Sequence, residues 1–497
     1  MVAEEEAVAL RQRLSQNATV IHSKDASALD EANQQLLLQP LVKQTPSLLV
    51  YVAEENDVLE VLRFCYLRRL RPVLVATGHD WNGRSSGAGA VRIATPRLCW
   101  VHVDGDRARV GAGCTWGHIW KELEPLGHIG VGGALGTVSI GGSLQGGGHG
   151  GLSRQHGLIA DQLLAARVAL SNGSGVVVAD AHGPHADLFR ALRGGGGGTY
   201  GAVVEFTIRI HPFPKSYAVS SIALPLRSNG STPSARDVTE RFFHNASWWA
   251  LVPDSWAGWH EVNTDHDGEK WSGSLAAWLF HWGQDPDEAC LSSGCPAAMS
   301  EYFHFVGSWP VAASLHMQIQ AYLPRRVEAT KLKNSFISNT FVSLTDLQDK
   351  ASNLTDLVIN SALDALDRKE VIHWTYNDVL GGQIPTYGPE TVISSGFRSA
   401  IFEICVGKEW PGSNNDQQIQ QIMPVVEQLY KLRLGSDMSY YNEVTHWSGL
   451  HEINDWRQRF WGSENYDFLH RVKSTYDPCN ILWVDRGVGS EDPKMTC

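Results

Sequence analysis

The stretch of sequence that decides the fold is GTVSIGGSLQGGGHG, at residues 136–150. Because glycine has no Cβ, its backbone can approach a ligand closely, and successive N–H groups can form an anion-binding nest. A second loop of this kind, ATGHDWNGRSSG at residues 76–87, directly follows a predicted strand. Neither loop has the GxGxxG or GxxxxGK(S/T) layout of the common nucleotide-binding motifs. The two loops predict a phosphate-binding site of another design, with a flexible glycine-rich loop as the alternative.

Composition divides the chain into two regions. Of the 48 glycines, 22 lie within residues 127–201, whereas eight of the 18 tryptophans lie within residues 248–309. The run HPFP at residues 211–214 separates these regions and predicts a domain boundary. We therefore predict a first domain of residues 1–213, with its core at about 44–213, a second domain of residues 214–437, and a C-terminal segment of residues 438–497.

Charge and hydropathy exclude several classes of function. The 497 residues carry a formal net charge of −12, which argues against a surface for nucleic acid, because neutralising phosphates requires clustered Lys and Arg. No stretch approaches the roughly 20 apolar residues needed to cross a bilayer. The amino terminus has neither the basic nor the apolar region of a signal peptide. We expect a cytoplasmic or other intracellular protein, or a secreted one if a leader has been trimmed away.

The eight cysteines form no CxxC pair and no spacing typical of a zinc site, so we predict no metal site. Cys290 and Cys295 could form a local disulfide in an oxidising compartment, and two unpaired thiols are equally compatible with the sequence. Asn-x-Ser/Thr sequons, which matter only in a secreted chain, begin at Asn17, Asn172, Asn229, Asn245 and Asn353.

Hydrophobic periodicity predicts helices and strands in both regions. In the first region it predicts helices at residues 4–16, 28–38, 57–69 and 115–124. It predicts strands there at residues 48–52, 72–77, 163–170, 175–180 and 202–210. In the second region it predicts helices at residues 235–250, 345–366 and 415–433, and strands at residues 256–262, 274–281 and 398–406. Ser171, Asn172 and Gly173 predict a hairpin turn between two of the strands.

The order of the motifs resembles a known family. After the strand come TGHD at residues 77–80 and the loop at residues 136–150, then GLIAD at residues 157–161 and a glycine run ending in TYG at residues 199–201. This order resembles the FAD-binding domain of the vanillyl-alcohol-oxidase / p-cresol-methylhydroxylase superfamily, and more narrowly the fungal berberine-bridge-enzyme-like oxidoreductases. The C-terminal motifs YYNE, FWG, NY, YDP and GVGSED extend the resemblance, whereas the middle of the chain matches only in general character.

The resemblance implies the fold class. It predicts an α+β, two-domain flavoprotein with a PCMH-type FAD-binding domain. The second domain is expected to be a substrate domain built from an antiparallel sheet plus helices. The C-terminal segment is expected to return to the FAD-binding domain.

The resemblance also implies FAD as the cofactor and assigns its contacts. His79 matches the histidine that carries the flavin through its 8α-methyl carbon, whereas Leu135 stands where many members have a cysteine that forms a second link. At most one covalent link is therefore expected, and Cys114 is interpreted as an ordinary buried thiol. Asp161 is either a cofactor contact or a structural capping residue. The other expected cofactor-binding residues are Val75, Ala76, Thr77, Gly78, Asp80, Ser85, Gly141, Gly142, Gly146, His149, Ser153, Gly201, Val203 and Asn480.

Tyr440 and Asn442 match the Y-x-N motif that family members place at the flavin. On a predicted strand they would share one face, and a tyrosine with a lowered pKa could remove a substrate proton. The alternative is a core tyrosine with a satisfied hydroxyl. Glu443 is expected to face the other way as a salt-bridge partner. His149 and Asp378 are further catalytic candidates, although an ordinary polar strand explains Asp378 equally well.

Trp278, Phe280 and Trp282 alternate along a predicted strand, so they share a face that could form an aromatic wall, with plain core packing as the alternative. The function implied is an FAD-dependent oxidase or dehydrogenase of a small, aromatic or polyketide/terpenoid-like metabolite, with hydride transfer to flavin and reoxidation by dioxygen. Leu135 and the lack of one clear base leave a second hypothesis open. It is a flavin-containing, redox-neutral cyclase of specialised metabolism, similar to a pericyclase or Diels–Alderase. The expected partners are a small-molecule substrate and dioxygen, without nucleic acid or membrane.

Overall fold

A computed structural model describes residues 2–34, 44–227, 230, 233–291, 295, 297–312, 334–388, 390–412, 414–435, 437–445 and 455–493. The strands are β1 (Thr19–His22), β2 (Leu48–Tyr51), β3 (Pro72–Val75), β4 (Val91–Ala94), β5 (Val101–Asp104), β6 (Arg107–Gly111), β7 (His128–Ile129), β8 (Leu163–Ala169), β9 (Val176–Asp180), β10 (Ala202–Arg209), β11 (His211–Pro212), β12 (Ser216–Pro225), β13 (Trp256–His266), β14 (Trp271–Gly283), β15 (Val311–Ala312), β16 (Asn334–Val342), β17 (Ile372–Asp378) and β18 (Phe402–Trp410).

The helices are α1 (Glu4–Arg11), α2 (Ala26–Gln34), α3 (Glu55–Arg68), α4 (Trp116–Leu123), α5 (Ile140–Gln145), α6 (Ser153–His156), α7 (Ala186–Leu192), α8 (Ala235–His244), α9 (Ala297–Val306), α10 (Leu344–Leu347), α11 (Ala351–Arg368), α12 (Ser395–Ser399), α13 (Asn415–Lys431), α14 (Trp456–Phe460) and α15 (Ser463–Tyr476). The prediction of an α+β chain is confirmed. None of the described helices is long and apolar enough to cross a membrane.

Two sheets carry the glycine-rich loops. The first has the order β1-β2-β4-β3, in which β4 runs parallel to both β2 and β3 while β1 is antiparallel. Helix α3 connects β2 to β3, as the sequence predicted. The second sheet is antiparallel with the order β5-β6-β10-β8-β9, and the predicted hairpin joins β8 to β9. Gly173 in its turn has a φ of 67°, which favours glycine.

The second region is built on one seven-stranded antiparallel sheet, in the order β15-β12-β14-β13-β17-β18-β16. Helix α11 packs on one face of this sheet, against β13, β14 and β17. Strand β18 begins at Phe402 rather than at the predicted residue 398, because the preceding residues form α12. There the hydroxyl of Ser394 accepts a hydrogen bond from the N–H of Phe397, which caps the helix.

The C-terminal segment contacts the glycine run of the first region. Helix α15 packs against α7, and the indole of Trp461 donates to the carbonyl of Gly194 at 2.9 Å. The buried ammonium of Lys473 donates to the carbonyls of Thr199 and Leu482, both at 2.9 Å, and pairs with a nearby carboxylate. Because a buried charge without partners is costly, these contacts fix the position of the segment.

Two disulfides lie within the described residues, Cys99–Cys114 and Cys290–Cys295, and Cys479 is also disulfide-bonded. The interpretation of Cys114 as an ordinary thiol is therefore wrong. A Cβ at Gly113 would lie 1.8 Å from the carbonyl oxygen of Thr95, so glycine lets the two segments approach each other closely. The Cα atoms of Cys99 and Cys114 are consequently 4.6 Å apart.

Candidate functional site

A cavity of about 390 Å³ lies between the two glycine-rich loops and one face of the seven-stranded sheet. This volume falls in the range of small-molecule sites, roughly 300–1,000 Å³. The loop after β3 and the loop before α5 form one side, and β16, β17 and β18 contribute side chains to the other. The sheet residues that line it are Ile337, Thr375, Asn377, Cys405 and Glu409. The cavity is completed by the turn at residues 440–443.

Some glycines that line the cavity leave space that no protein atom fills. A Cβ built on Gly142 would have no neighbour within 4 Å, and one on Gly133 would meet only the carbonyl oxygen of His149, at 3.9 Å. Gly198, with a φ of +70°, would place its Cβ 3.7 Å from Leu74. Gly141 differs, because its Cβ would lie 2.7 Å from the carbonyl oxygen of Ala112 and packing alone requires glycine there. The open glycines therefore form a cradle for a bound molecule.

Most predicted site residues line this cavity. They are Val75, Ala76, Thr77, Gly78, His79, Asp80, Ser85, Gly141, Gly142, His149, Val203, Tyr440 and Asn442. The cavity is also lined by residues that the sequence did not identify as part of the site, among them Trp81, Arg84, Gly197, Gly198, Asn377, Cys405, Glu409 and Glu443.

Four predicted cofactor contacts have packing roles instead. A Cβ on Gly146 would lie 2.2 Å from the side-chain amide of Asn442, and one on Gly201 would lie 2.5 Å from Val168, so both glycines allow close packing. The hydroxyl of Ser153, which is fully buried, accepts from the N–H of Gly150 at 3.0 Å. Asn480 donates to the carbonyl of Gly489 at 3.0 Å. None of the four lines the cavity, which corrects these predictions.

Asp161 acts as a capping and ion-pairing residue. One of its carboxylate oxygens accepts from the N–H of Leu158 at 2.8 Å, and both carboxylate oxygens receive hydrogen bonds from Arg398 at 2.7 Å. The bidentate pair joins the first region to α12 of the second. Of the two interpretations left open for Asp161, the structure supports the structural one.

His79 lies in the cavity wall with its imidazole held by the loop before α5. Its Nε2 atom is 2.9 Å from the hydroxyl of Thr137. Burial lowers the pKa of His79 to about 4, so the ring is neutral at neutral pH. A neutral imidazole keeps a lone pair on one nitrogen, which is the form able to act as a nucleophile. Leu135 lines the same cavity with an aliphatic side chain.

A group of two carboxylates and one imidazole lies where the sheet meets the loop at residues 136–150. The Nε2 atom of His149 is 3.0 Å from Oε2 of Glu403 and 3.7 Å from Oε1 of Glu443. Burial alone would lower the pKa of His149, but contact with Glu403 and the negative charges of both carboxylates outweigh burial and raise it. These donors are of a type that binds divalent cations, and an imidazolium in this position would also pair with both carboxylates.

Glu403 is the residue of this group that the sequence reasoning missed. Its side chain is fully buried, Asn377 donates to its Oε2 atom at 3.0 Å, and its Oε1 atom has no hydrogen-bond partner within the described part of the chain. Its register partner Asn377 and the next residue on its own face, Cys405, both line the cavity. The alternation of Glu403 and Cys405 with the apolar residues Phe402, Ile404 and Val406 was the available signal.

Tyr440 and Asn442 meet at the cavity, although not on a strand. Residues 441–443 form a 3₁₀ turn, and the side-chain amide of Asn442 donates to the hydroxyl of Tyr440 at 3.0 Å. In such a turn, residues three apart share a face, so Glu443 points toward the cavity with Tyr440 rather than away from it. Burial, reinforced by the charge of Glu443, raises the pKa of Tyr440. The expected tyrosine base with a lowered pKa is therefore wrong.

Asp378 lies on the opposite face of β17 from the cavity. Its Oδ2 atom is 2.6 Å from Nδ1 of the buried His260. Side chains alternate along a strand, so Thr375 and Asn377 face the cavity while Asp378 faces the core under the helices. Asp378 therefore does not reach the cavity, although the preceding residue, Asn377, does, and its prediction as a catalytic residue is wrong.

The predicted aromatic wall also lies outside the cavity lining. Trp278, Phe280 and Trp282 alternate along β14 as predicted, but none of the three lines the cavity. A Cβ on Gly151 would lie 2.8 Å from both Phe280 and Trp282, so these two rings pack on the first region beside the site. Periodicity identifies the face of a strand, but it does not give the position along the sheet at which a cavity opens.

Two family models match the chain. Residues 46–179 match an FAD binding domain, and residues 436–489 match a model described as berberine and berberine like. The chain is an FAD-linked oxidoreductase that resembles the berberine-bridge-like enzymes. The two matches cover the cradle loops and the turn at residues 440–443, which enclose part of the cavity, whereas the sheet strands that line its other side lie outside both matches.

Relatives of this oxidoreductase include fungal enzymes. It is 26% identical over 467 residues to the FAD-linked oxidoreductase patO of Penicillium expansum, across 89% of this chain and 76% of that protein. It is 26% identical over 470 residues to the VAO-type flavoprotein oxidase VAO615 of Thermothelomyces thermophilus, across 90% of this chain and 76% of that protein.

Solved structures share the fold. The VAO-type flavoprotein MtVAO615 of Myceliophthora thermophila superposes with a TM-score of 0.76 at 21% identity, covering 99% of this chain and 96% of that one. Berberine bridge enzyme from Eschscholzia californica superposes with a TM-score of 0.75 at 19% identity, covering 99% of both chains. The α+β, two-domain architecture is the one these flavoproteins have.

The residues present fit FAD. The open glycines Gly133, Gly142 and Gly198 leave room for a ligand against the backbone, and the neutral His79 stands at the same wall. FAD would lie along this cradle, with the loops at residues 76–87 and 136–150 on either side. It supplies the oxidising capacity that no amino-acid side chain has.

We predict that Gly142→Leu weakens FAD binding without destabilising the fold. Its Cβ meets no protein atom, so the added side chain occupies space meant for the ligand. Overlap of this kind costs ~1–3 kcal/mol, which is about a 5- to 150-fold loss of affinity. The measurement is flavin titration of the apoprotein with thermal unfolding. Gly175→Leu, which also meets nothing within 4 Å, is the control, and equal FAD affinity in both variants would contradict the prediction.

Proposed function

We propose that this oxidoreductase is an FAD-dependent oxidase of a small molecule, with Glu403 as the base that accepts a substrate proton. The chemistry that FAD would supply in the glycine cradle is the acceptance of a hydride from the substrate, with dioxygen as the final electron acceptor. The observation that carries the proposal is the buried Glu403 carboxylate, whose Oε1 atom has no hydrogen-bond partner among the residues that the structure describes and which lies beside the cavity-lining residues Asn377 and Cys405.

The neighbours of Glu403 prepare it for proton transfer. Asn377 and His149 both contact its Oε2 atom at 3.0 Å, which orients the carboxylate and leaves Oε1 to receive the proton. Tyr440, whose raised pKa keeps its hydroxyl protonated, can donate a hydrogen bond to the substrate. Its hydroxyl is held by the amide of Asn442.

The carboxylate also favours one of the two functions that the sequence left open. The redox-neutral cyclase was supported in part by the absence of one clear base, and Glu403 now supplies one. The expectation of an aromatic or polyketide-like substrate rested on Trp278, Phe280 and Trp282, which do not line the cavity. The oxidase is therefore the function with more support, and the substrate has to be inferred from the polar lining instead.

A single covalent link through His79 belongs to the same proposal. The contact between Nε2 and Thr137 leaves Nδ1 as the ring nitrogen that can attack a carbon of the cofactor. The neutral ring supports this role, because a protonated imidazole has no free lone pair. Leu135 cannot form a thioether, so a second link is not expected.

An oxidising compartment is proposed in place of the intracellular one. Disulfides are rare where thiols are kept reduced, and the chain has Cys99–Cys114 and Cys290–Cys295. Four sequon asparagines are exposed, as attachment of a glycan requires. They are Asn17, Asn172, Asn245 and Asn353, whereas Asn229 lies outside the described residues.

Oxidation is tested first with the holoenzyme and a panel of alcohols and amines. Under anaerobic conditions a substrate should bleach the flavin absorbance, and readmitted air should restore the absorbance with formation of hydrogen peroxide. A product with the same mass as its substrate, formed without bleaching, would contradict the oxidase and favour the cyclase.

With the substrate found in this way, Glu403→Gln should slow anaerobic flavin reduction by about 10²- to 10⁴-fold, which is the usual contribution of general base catalysis. The amide keeps the shape of the side chain and its contact with Asn377 but cannot accept the proton. Glu427→Gln, on the exposed face of α13, should reduce flavin at the normal rate. An unchanged rate in Glu403→Gln would exclude it as the base.

The covalent link is tested by precipitating the protein in acid. Flavin should stay with the precipitated chain in the natural protein and in His182→Ala, whose histidine is exposed, and should be released from His79→Ala. Thr137→Val should attach flavin more slowly, because the imidazole loses the contact that orients it. Flavin retained on precipitated His79→Ala would refute the link.

The compartment is tested on protein from its natural source. Alkylation without prior reduction should label the free thiols Cys65 and Cys405 in the unfolded chain and leave the disulfide cysteines unlabelled. Treatment with an N-glycosidase should lower the mass at the exposed sequons. A fully alkylated chain without glycans would restore the intracellular expectation.

A further inference from the structure

We propose that His149, Glu403 and Glu443 form a binding site for a divalent transition-metal ion such as Zn²⁺ at the edge of the cavity. Binding of the ion does not depend on the proposed oxidase. Only its effect on activity rests on that function, because an ion on Glu403 would occupy the proposed base. The sequence predicted no metal site from its cysteines, whereas these three ligands come from three separate segments of the chain.

The first argument is the spacing of the ligand atoms. One ring nitrogen and two carboxylates provide atoms that all lie within 4.8 Å of one another. The Nε2 atom of His149 is 3.0 Å from Oε2 of Glu403 and 3.7 Å from Oε1 of Glu443. Zn²⁺ binds atoms of these types at about 2.0–2.2 Å. Atoms at these two separations, bound to one ion, form angles of about 90° and 125° at the ion, as ordinary coordination does.

The second argument is the direction of the contact between His149 and Glu403. At 3.0 Å the two atoms are close enough for a hydrogen bond, but within the described part of the chain Nε2 makes none, so the oxygen lies away from the direction of the ring N–H. Two ligands of one ion lie side by side. An ion about 2.1 Å from both atoms would place the oxygen about 45° from the axis of the ring nitrogen. The arrangement therefore fits shared ligation better than a straight hydrogen bond.

The third argument is a second buried atom without a partner. The Oε1 atom of Glu403, like Nε2 of His149, has no hydrogen-bond partner among the residues that the structure describes. The Glu403 side chain is fully buried, and the His149 side chain is only 9% exposed. Leaving buried polar atoms without partners is costly. Because a carboxylate can bind an ion through one or both oxygens, one ion would satisfy both atoms.

Neighbouring side chains hold the ligands in place. The amide of Asn377 donates to Oε2 of Glu403 at 3.0 Å and orients the carboxylate. The imidazole of His149 packs edge-on against the rings of Phe397 and Tyr440, with centroid distances of 5.9 and 5.3 Å. Partners that orient the ligands in this way are a regular part of metal sites, because they fix the ligand geometry before the ion binds.

The cavity gives an ion access to the site. His149 and Glu443 line the cavity, whereas Glu403 lies behind them, beside the lining residues Asn377 and Cys405. Three protein ligands leave a fourth position, on the cavity side, for water or another ligand. The nitrogen ligand favours Zn²⁺ or another transition metal over Mg²⁺ and Ca²⁺, which prefer oxygen ligands alone.

Binding of the ion has a direct consequence for the proposed oxidase. The ring nitrogen binds the ion with its lone pair, so any proton on Nε2 is released to solvent. Glu403 likewise gives the ion an electron pair that would otherwise accept the substrate proton. A bound ion therefore inhibits proton transfer to Glu403, and a chelator that removes the ion restores it.

The test is calorimetric titration of the holoenzyme with zinc chloride, after removal of metal ions by a chelator. No thiol reductant is added, so the disulfide cysteines cannot bind zinc. We expect one Zn²⁺ per chain with micromolar affinity, and far weaker binding of Mg²⁺. In crystals grown with zinc, anomalous scattering at the zinc absorption edge should place the ion within about 2.5 Å of Nε2 of His149.

Variants then assign the ion to its ligands. Glu403→Gln should weaken Zn²⁺ binding by at least about 100-fold, and Asn377→Ala, which removes an orienting partner, by about 10- to 100-fold. Glu443→Gln, at a less buried position, should weaken binding measurably and serves as the test if thermal unfolding shows that Glu403→Gln does not fold. Glu240→Gln is the control, because its carboxylate lies 3.8 Å from Nε2 of His244 on the surface, and this variant should bind Zn²⁺ normally.

Several outcomes would overturn the site. No binding of Zn²⁺, equal affinity for Mg²⁺, an ion located elsewhere, or unchanged affinity in folded Glu403→Gln would each reject it. With an oxidised substrate in hand, Zn²⁺ should slow anaerobic flavin reduction and the chelator should restore the rate, and faster reduction with Zn²⁺ would reject the inhibitory role. Failure to find any oxidised substrate would count against the proposed oxidase alone, because the titration uses no substrate.

Discussion

The cavity depends on the contact between Asn442 and the glycine loop before and along α5. The amide of Asn442 donates to the carbonyl of Gly142 at 3.2 Å, and a Cβ on Gly146 would lie 2.2 Å from that amide. The two partners are 300 residues apart in sequence. Glycine at residue 146 therefore allows the C-terminal turn to close over the cradle, and the same turn places Tyr440 and Glu443 in the wall.

The electrostatic design of the site follows from burial. Burial is the largest influence on the pKa of His149 and would lower it, but the neighbouring carboxylates Glu403 and Glu443 together raise that pKa above its ordinary value. For His79 burial is the cause of the shift in the described part of the chain, and it lowers the pKa to about 4. One cavity thus holds two histidines whose pKa values shift in opposite directions, which suits His149 to an ion-pair role and His79 to a nucleophilic role.

Local features of the sequence predicted much of the fold and the glycine-rich side of the site. The glycine loops, the hairpin at Gly173 and the helix α3 depend on short-range chemistry, and they were predicted near their observed positions. The residues of the sheet wall depend on which face of each strand meets the cavity. Asn377 lines the cavity, whereas the next residue, Asp378, is buried on the opposite face of the strand. The sequence alone does not determine which of the two faces meets the cavity. Glu443 was misplaced because a 3₁₀ turn was interpreted as a strand.

The disulfide between Cys99 and Cys114 has a consequence for the glycine cradle. The carbonyl of Cys114 accepts a hydrogen bond from the N–H of Ile140 at 3.0 Å, and Thr115 forms an isolated β-bridge with Ser139. The backbone at the start of α5 is therefore bonded directly to the cross-linked segment. A helix of six residues with two glycines has little stability of its own. The start of the cradle helix is thus fixed to a segment that a covalent cross-link restrains, so reduction of this disulfide is expected to loosen the cradle and weaken its hold on the cofactor.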